Sequence, residues 1–280
     1  VRMKVYIVGG AVRDKLLGKD PQDIDYVVTG ATQEQMLELG YQKVGADFPV
    51  FLHPLTGDEY ALARIEKRIG NSYTDFEAFF DPSITLEDDL LRRDLTINAM
   101  AIDEDGTLID PYGGQKDLEN RIIRHVSEAF KDDPTRILRV ARFMAKMPEF
   151  TIAHETKEMI KEMVAKGEIN NLKPDRIWKE FVKAFSTDHP SIFIKTLDDL
   201  NALKIILPEI HKMKGIPQRA DYHAEGDVYV HTLMVLDKAC ELTKNHSDAD
   251  KLLVRFSALL HDVGKAYTDH SLLYHEDGSV

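Results

Sequence analysis

Hydrophobic and polar positions divide the chain into two regimes. Over roughly the first 110 residues, short apolar runs of β character alternate with helical patterns. KVYIVGG (4–10), IDYVVTG (24–30), PVFLHP (49–54), EYALARI (59–65) and NAMAID with TLIDP (98–111) predict strands. AVRDKLLG (11–18) and TQEQMLELG (32–40) predict helices, the second opened by a Thr32 cap and stopped by Gly40. From Glu66 to Asp89 the chain is polar and weakly periodic and contains Gly70, Asn71 and Pro82, which predicts a mobile loop. After Asp117 apolar residues recur at helical spacing and strands vanish. Pro148, Pro174, Pro190, Pro208 and Pro217 punctuate the helices. A second break at Gly215–Gly226 predicts a linker, followed by another helical segment. No internal repeat interrupts this order.

Composition narrows the function classes. A length of 280 residues predicts more than one domain. Val1 and Arg2 precede Met3 and are set aside as a remnant or processed start. No apolar run approaches the ~18 residues that span a bilayer, and the chain opens on no secretory leader. The single Cys240 rules out an internal disulfide framework and fits a reducing, cytoplasmic location. A net charge of −12 argues against indiscriminate nucleic-acid binding. Its distribution qualifies that. Between Arg121 and Lys146 stand Arg121, Arg124, Lys131, Arg136, Arg139, Arg142 and Lys146 against Glu128, Asp132 and Asp133, a local excess of +4. Such an island predicts a localised phosphate-binding surface.

Four stretches carry candidate chemistry: GGAVRDKLLG (9–18), DID (23–25), RRDLTINA (92–99) and DDPTRILRVARF (132–143). Gly9 and Gly10 separate an apolar strand from a helix start. Glycine allows close backbone approach to a phosphate, and free N–H groups favour an anion. Asp23 and Asp25 lie two apart at the start of the next strand, where i and i+2 share a face. Two carboxylates there suit Mg²⁺. A glycine pair or a lone DxD is most often just a turn or a solvated loop; the conjunction is what carries information.

That conjunction resembles the polymerase-beta-like nucleotidyltransferases, and within them the bacterial-type (class II) tRNA nucleotidyltransferases, the CCA-adding enzymes, with their poly(A) polymerase relatives. The resemblance runs from about Met3 to the end of the chain. It implies an α+β fold: a nucleotidyltransferase head with a small mixed sheet (1–120), an all-helical neck (121–175) and body (176–222), and a partial HD segment (223–280). It implies addition of the 3′-terminal CCA of tRNA from CTP and ATP, with release of pyrophosphate and no nucleic-acid template. Two Mg²⁺ ions would be held by Asp23 and Asp25, with Glu59 in EYALAR as candidate third carboxylate. Gly10, Arg13 and Arg93 would contact the nucleotide, with Asp94 and Asn98 on its sugar side and Asp14 fixing Arg13. Asp133 and Arg136 would read the base from one helix. Cytosine and adenine both present an amino donor beside a ring acceptor nitrogen, so one acceptor–donor pair serves both and rejects G and U. The family's usual EDxxR stands here as DDPTR, with Asp132 in place of Glu. Arg139 and Arg142 continue the Arg136 stripe as further nucleotide contacts, and Arg176 in KPDRIWKE would brace that helix.

His231 in VHTLM and His261-Asp262 in LLHDVGKA resemble the HD phosphohydrolase signature, which binds a divalent metal such as Ni²⁺ or Mn²⁺. The later Asp ligand is not assigned, Asp269 and Asp277 being the candidates, and the site is expected to be incomplete. Within the family the alternatives are a poly(A) polymerase or a CC-adding enzyme, although the intact VGADFPVFLHPLTGDEYALARIEKR stretch resembles the CCA-adding branch. From other classes stand an HD phosphohydrolase with a vestigial head and a non-catalytic RNA-binding protein, which retention of both Asp23 and Asp25 disfavours.

Overall fold

The computed structural model describes residues 2–45, 48–70, 75–218 and 226–274. The chain forms two compact units, Val1–Asp133 and Pro134–Val280.

The first unit runs β1 (Lys4–Val8), α1 (Gly10–Leu16), β2 (Asp25–Thr29), α2 (Gln33–Glu38), β3 (Gln42–Val44), β4 (Val50–Leu52), β5 (Glu59–Leu62), β6 (Arg64–Arg68), β7 (Phe76–Phe80), α3 (Leu86–Leu91), β8 (Ala101–Ile102), β9 (Leu108–Ile109), α4 (Gly114–Glu119) and β10 (Ile122–Ile123). A seven-stranded sheet takes the order β3-β4-β5-β2-β1-β8-β9. It is mixed: β2 and β5 run parallel, whereas β1 pairs antiparallel with both β2 and β8. The continuous run Tyr26-Val27-Val28 follows from cover on both faces. Val27 packs with Val8, Leu86, Leu90 and Ala101 on one side, and Val28 with Met36, Phe51 and Leu62 on the other. Register then gathers the motifs at one end. Val8 stands opposite Asp25 and beside Ala101. Tyr26 pairs with Tyr60, so Glu59 lies next to Asp25 at the start of β5.

The segment 66–89 is not a loop. β6 and β7 form an antiparallel hairpin, and α3 follows under a Thr85/Asp88 capping box. The β7 residues alternate between half-buried and exposed, and the box reads T-x-x-D, so polar positions concealed both signals. Asn71 lies outside the described residues. Two boundaries also move. Residues 96–98 make a 3-10 turn before β8, and β3 forms in a stretch with too few apolar positions to show a pattern.

The second unit runs α5 (Arg136–Lys146), β11 (Thr151–Ile152), α6 (His154–Ala165), α7 (Pro174–Phe185), α8 (Pro190–Asp199), α9 (Leu203–Ile206), α10 (Pro208–His211), α11 (Val228–Leu242) and α12 (Asp248–Leu260). Pro174, Pro190 and Pro208 each open a helix, where the missing N–H costs nothing. Strands do not vanish after Asp117, since β10 and β11 persist as two-residue pieces. Ile137, Leu138, Val140 and Ala141 on α5 and Phe193, Ile194 and Leu197 on α8 are buried. Of the expected linker, residues 219–225 lie outside the described set, while Gly215 N–H donates to the Asp227 carboxylate that caps α11. Among the described residues no helix is long and apolar enough to cross a membrane.

Candidate functional site

The turn after β1 is built for a side chain of no size. Gly9 adopts φ 71°, ψ −137°, a conformation open to glycine. A Cβ at Gly9 would meet Arg93 Nη1 at 3.4 Å, and one at Gly10 would meet Arg13 Nη2 at 3.2 Å. Two guanidinium groups therefore converge on the glycine pair. Arg13 is buried; its Nη1 donates to Asn98 Oδ1 at 2.7 Å, and its Nε and Nη2 donate to Asp14 Oδ1 at 3.2 Å. Asn98 Nδ2 in turn donates to Asp94 Oδ1 at 3.4 Å. The chain Asp14–Arg13–Asn98–Asp94 locks the helix start to the turn before β8.

Arg93 is held differently. Asp89, fully buried on α3, accepts from Arg93 Nη2 at 3.2 Å, from Arg92 Nη2 at 3.1 Å and from the Arg64 N–H at 3.2 Å. Burial pushes the Asp89 carboxyl up, but the Arg92 and Arg93 charges and the donated hydrogen bonds outweigh it, leaving the group below its ordinary range. Arg93 Nε is buried without a hydrogen-bond partner. A buried donor beside a glycine turn fits an anionic ligand.

Asp25 is the first residue of β2, and Asp23 precedes it in a bend, so the two do not share one strand face as expected. Both are exposed, as is Glu59. These exposed hard oxygen donors, at the strand starts beside the glycine turn, fit a Mg²⁺ ion.

In the second unit α5 begins at Arg136, and Asp133 lies before it in extended backbone (φ −129°, ψ 100°), at the end of the first unit. The expectation of both residues on one helix is corrected: Pro134 forces its predecessor out of helical backbone. Arg142 Nε donates to Glu180 Oε2 at 2.5 Å, and Arg139 Nη1 stands 4.0 Å from Glu180 Oε1. Glu180 is buried on α7, one turn beyond the half-buried Arg176. Much of the +4 island is thus internally neutralised, since Arg124 pairs with Asp117 and Lys131 with Glu128.

His231 on α11 and His261 and Asp262 at the end of α12 bring three potential ligand atoms within 4.8 Å of one another, the one such group among the described residues. His261 Nε2 lies 3.2 Å and His231 Nε2 3.7 Å from Asp262 Oδ2, which also accepts from Lys265 Nζ at 3.0 Å. His261 Nδ1 faces the Ala258 carbonyl at 2.7 Å, the second contact that orients a ligating imidazole. Asp269 accepts from Ser271 N–H and Oγ and does not join this group, and Asp277 lies outside the described residues.

Residues 5–124 match the poly A polymerase head domain, 149–214 the probable RNA and SrmB-binding site of polymerase A, and 228–279 the HD domain. The chain is 54% identical over 271 residues to the multifunctional CCA protein of Vibrio parahaemolyticus, covering 96% of this chain and 65% of that one. It is 56% identical over 268 residues to the namesake protein of Acinetobacter baumannii, covering 95% and 64%. The chain belongs to the bacterial-type tRNA nucleotidyltransferase family. Among solved structures it is similar to a CCA-adding enzyme in apo form II (TM-score 0.69, 30% identity, 96% of this chain and 62% of that one). It is also similar to a CCA-adding enzyme in complex with CTP (TM-score 0.67, 30% identity, 97% and 61%) and to the Thermotoga maritima CCA-adding enzyme complexed with tRNA (TM-score 0.65, 26% identity, 97% and 63%). The chain spans less than two thirds of the length of the curated relatives it matches, 65% and 64% in the two named.

The head gathers Gly10, Arg13, Arg93, Asp23 and Asp25 at one end of its sheet. Asp133, Arg136, Arg139 and Arg142 follow along the approach to α5 and its stripe. Two residues that hold these arginines carry no motif of their own. Asp89 stands three and four residues before Arg92 and Arg93, helical ion-pair spacing that was legible. Glu180 lies 38 residues from Arg142, with no local signal. Nucleotidyltransferase and HD families are both metal-dependent, in accord with the two donor sets.

Proposed function

We propose that the chain adds or repairs the 3′-terminal CCA of tRNA from CTP and ATP, without a template, in the cytoplasm. The carrying observation is the approach of Arg13 and Arg93 to the Gly9–Gly10 turn, with Asp25 opposite Val8 at the same end of the sheet and Asp23 two residues before it. The similarity to CCA-adding enzymes solved with CTP and with tRNA supports the same substrates. In this reading the domains are the head (1–120), neck (121–175), body (176–222) and HD segment (223–280).

Asp23 and Asp25 would hold Mg²⁺, with Glu59 as the third carboxylate. Bound there, the metal would activate the acceptor 3′-hydroxyl and neutralise the leaving pyrophosphate. The chain's own residues do the rest. Gly9 lets the phosphates approach the backbone. Arg93, with its unpartnered Nε, supplies charge-assisted donors to phosphate oxygens, and Arg13 keeps Asn98 and the helix start in register. Asp133 accepts from the amino group of cytosine or adenine and Arg136 donates to the adjacent ring nitrogen. Arg139 and Arg142 would be further nucleotide contacts.

The decisive assay is incubation with tRNA lacking its CCA end and labelled CTP, then ATP. Addition of C, C and A in order is expected, and Asp23→Ala and Asp25→Ala should abolish it without unfolding an exposed site. Tails of A alone would make the chain a poly(A) polymerase, and addition that stops after CC a CC-adding enzyme. Retained activity in the double variant would sink the metal-site assignment. The His231–His261–Asp262 cluster favours a second activity, metal-dependent phosphohydrolysis with Ni²⁺ or Mn²⁺ at the HD segment. Ring opening of a cyclic phosphodiester to its phosphomonoester in the presence of those ions tests it.

A further inference from the structure

α12 belongs to the HD segment, yet one of its side chains reaches the end of α7. Arg255 is 1% exposed and heads the large, fully buried side chains of the protein. Its Nη1 donates to the carbonyls of Phe185 at 2.7 Å and Thr187 at 2.8 Å, and its Nε to Thr243 Oγ1 at 3.4 Å. Among the described residues no carboxylate pairs with it. Phe185 is the last residue of α7, so a buried cation closes the negative end of that helix. The next residue, Phe256, stacks on Phe185 with centroids 4.4 Å apart and interplanar angle 6°, and on Trp178 at 5.1 Å.

α7 is the helix that carries Glu180, and Glu180 grips Arg142 and approaches Arg139 on α5. The helix is therefore held on one side by α12 and holds the arginine stripe on the other. A buried Arg is an expensive way to fill space, because its charge must be matched by polar atoms. It is a specific way to fix position, because only a forked donor reaches two carbonyls and a hydroxyl together.

We infer that Arg255 is a positioning residue for nucleotide selection: it anchors the end of α7 and, through Glu180, sets the guanidinium groups of Arg142 and Arg139. The inference rests on the reading that these arginines border the incoming nucleotide. It gives the HD segment a part in nucleotide addition that is independent of any metal it binds. With Arg255 removed, the last carbonyls of α7 lose their donor, the helix end loosens, and Glu180 no longer presents its carboxylate in one place.

The test is steady-state kinetics of the full chain on tRNA lacking its 3′-terminal nucleotides, with direct CTP binding measured alongside. Arg255→Met should raise KM for CTP and ATP on the order of tenfold, the scale of a lost buried hydrogen bond to charge, with kcat held within about twofold. Incorporation of UTP relative to CTP should rise, and Arg255→Lys should recover part of both losses. Glu180→Gln should give the same pattern, and the double variant should be no worse than the worse single one, because both changes act along one path. If Arg255→Met does not yield folded protein, Phe256→Leu, which trims the stack on Phe185 and bares no carbonyl, is read in the same way. A variant that only melts earlier, with KM and base choice unchanged, overturns the inference, as does a double variant whose KM change is the product of the two singles. Wild-type chain that binds CTP but extends no tRNA would overturn the proposed function instead, and CTP binding by the variants would still decide the inference.

Discussion

Replacing Asp89 with Asn tests the architecture of the head at its most loaded point. The carboxylate is fully buried and accepts from Arg92, Arg93 and the Arg64 N–H. Asn keeps the shape but removes the charge and turns an N–H₂ toward at least one guanidinium. Losing one partner of a buried ion pair costs about 3–5 kcal/mol. Here the Arg92 and Arg93 side chains keep 19% and 20% of their exposure, so solvent screens part of the loss. A cost of roughly 2–3 kcal/mol follows, which in a protein of this size lowers the melting midpoint by about 5–10 °C. The pH dependence has a definite sign. Burial alone would raise the Asp89 carboxyl, but Arg92, Arg93 and the hydrogen bonds bring it below its ordinary value of 3.8. A group depressed in the folded state stabilises above its unfolded pKa and loses that stabilisation as pH falls through its folded one. The gap between wild type and Asp89→Asn should be full at pH 7 and 5 and begin to narrow below about pH 4. Thermal unfolding at pH 7, 5 and 3 measures it, and KM for CTP reports the released Arg93. Equal midpoints at pH 7, or a gap as wide at pH 3 as at pH 7, would refute the reasoning.

Gly9→Ala should cost roughly 1–3 kcal/mol from backbone conformation alone and should raise KM for the triphosphate as the new Cβ meets Arg93; an unchanged midpoint and KM would remove the turn from the site. Arg136→Ala should relax rejection of UTP and GTP by one to two decades, on the scale of about 1–3 kcal/mol for an unpaired buried group, and unaltered choice in a four-nucleotide incorporation assay would mean that the base is read elsewhere. His261→Ala should abolish Ni²⁺ or Mn²⁺ binding in calorimetry while CTP incorporation stays close to wild type; metal binding that survives would show that Asp262 and His231 do not depend on it.

The head was legible because its signals are local. Strand, glycine turn and helix lie within 15 residues, and the mixed sheet was implied by the family resemblance those motifs carry. The hairpin of β6 and β7 was not legible, because alternating polar residues on a half-exposed surface look like a loop. Asp133 stands outside α5 for a reason the sequence contains, Pro134 immediately after it. The hydrogen-bond chain from Asp14 to Asp94 joins residues 85 apart, and the Glu180 grip joins residues 38 apart. Such pairings are set by packing, and a single sequence carries no record of them.

The register that sets Val8 opposite Asp25 has a consequence for how this chain tolerates change in length. Glycine turn and acids sit at one sheet end because β1 finishes where β2 begins, and everything between them is a connector anchored by the ladder. From Leu16 to Gln22 that connector is exposed, apart from half-buried Pro21. Insertions there lengthen a surface excursion and leave both anchors in place. A single deletion within Lys4–Val8 does the opposite. It slides one strand past its neighbour, exchanges the faces of its side chains and separates the phosphate turn from the carboxylates. Descendants of this sequence can therefore drift freely in the size of that excursion, and hardly at all in the five residues before Gly9.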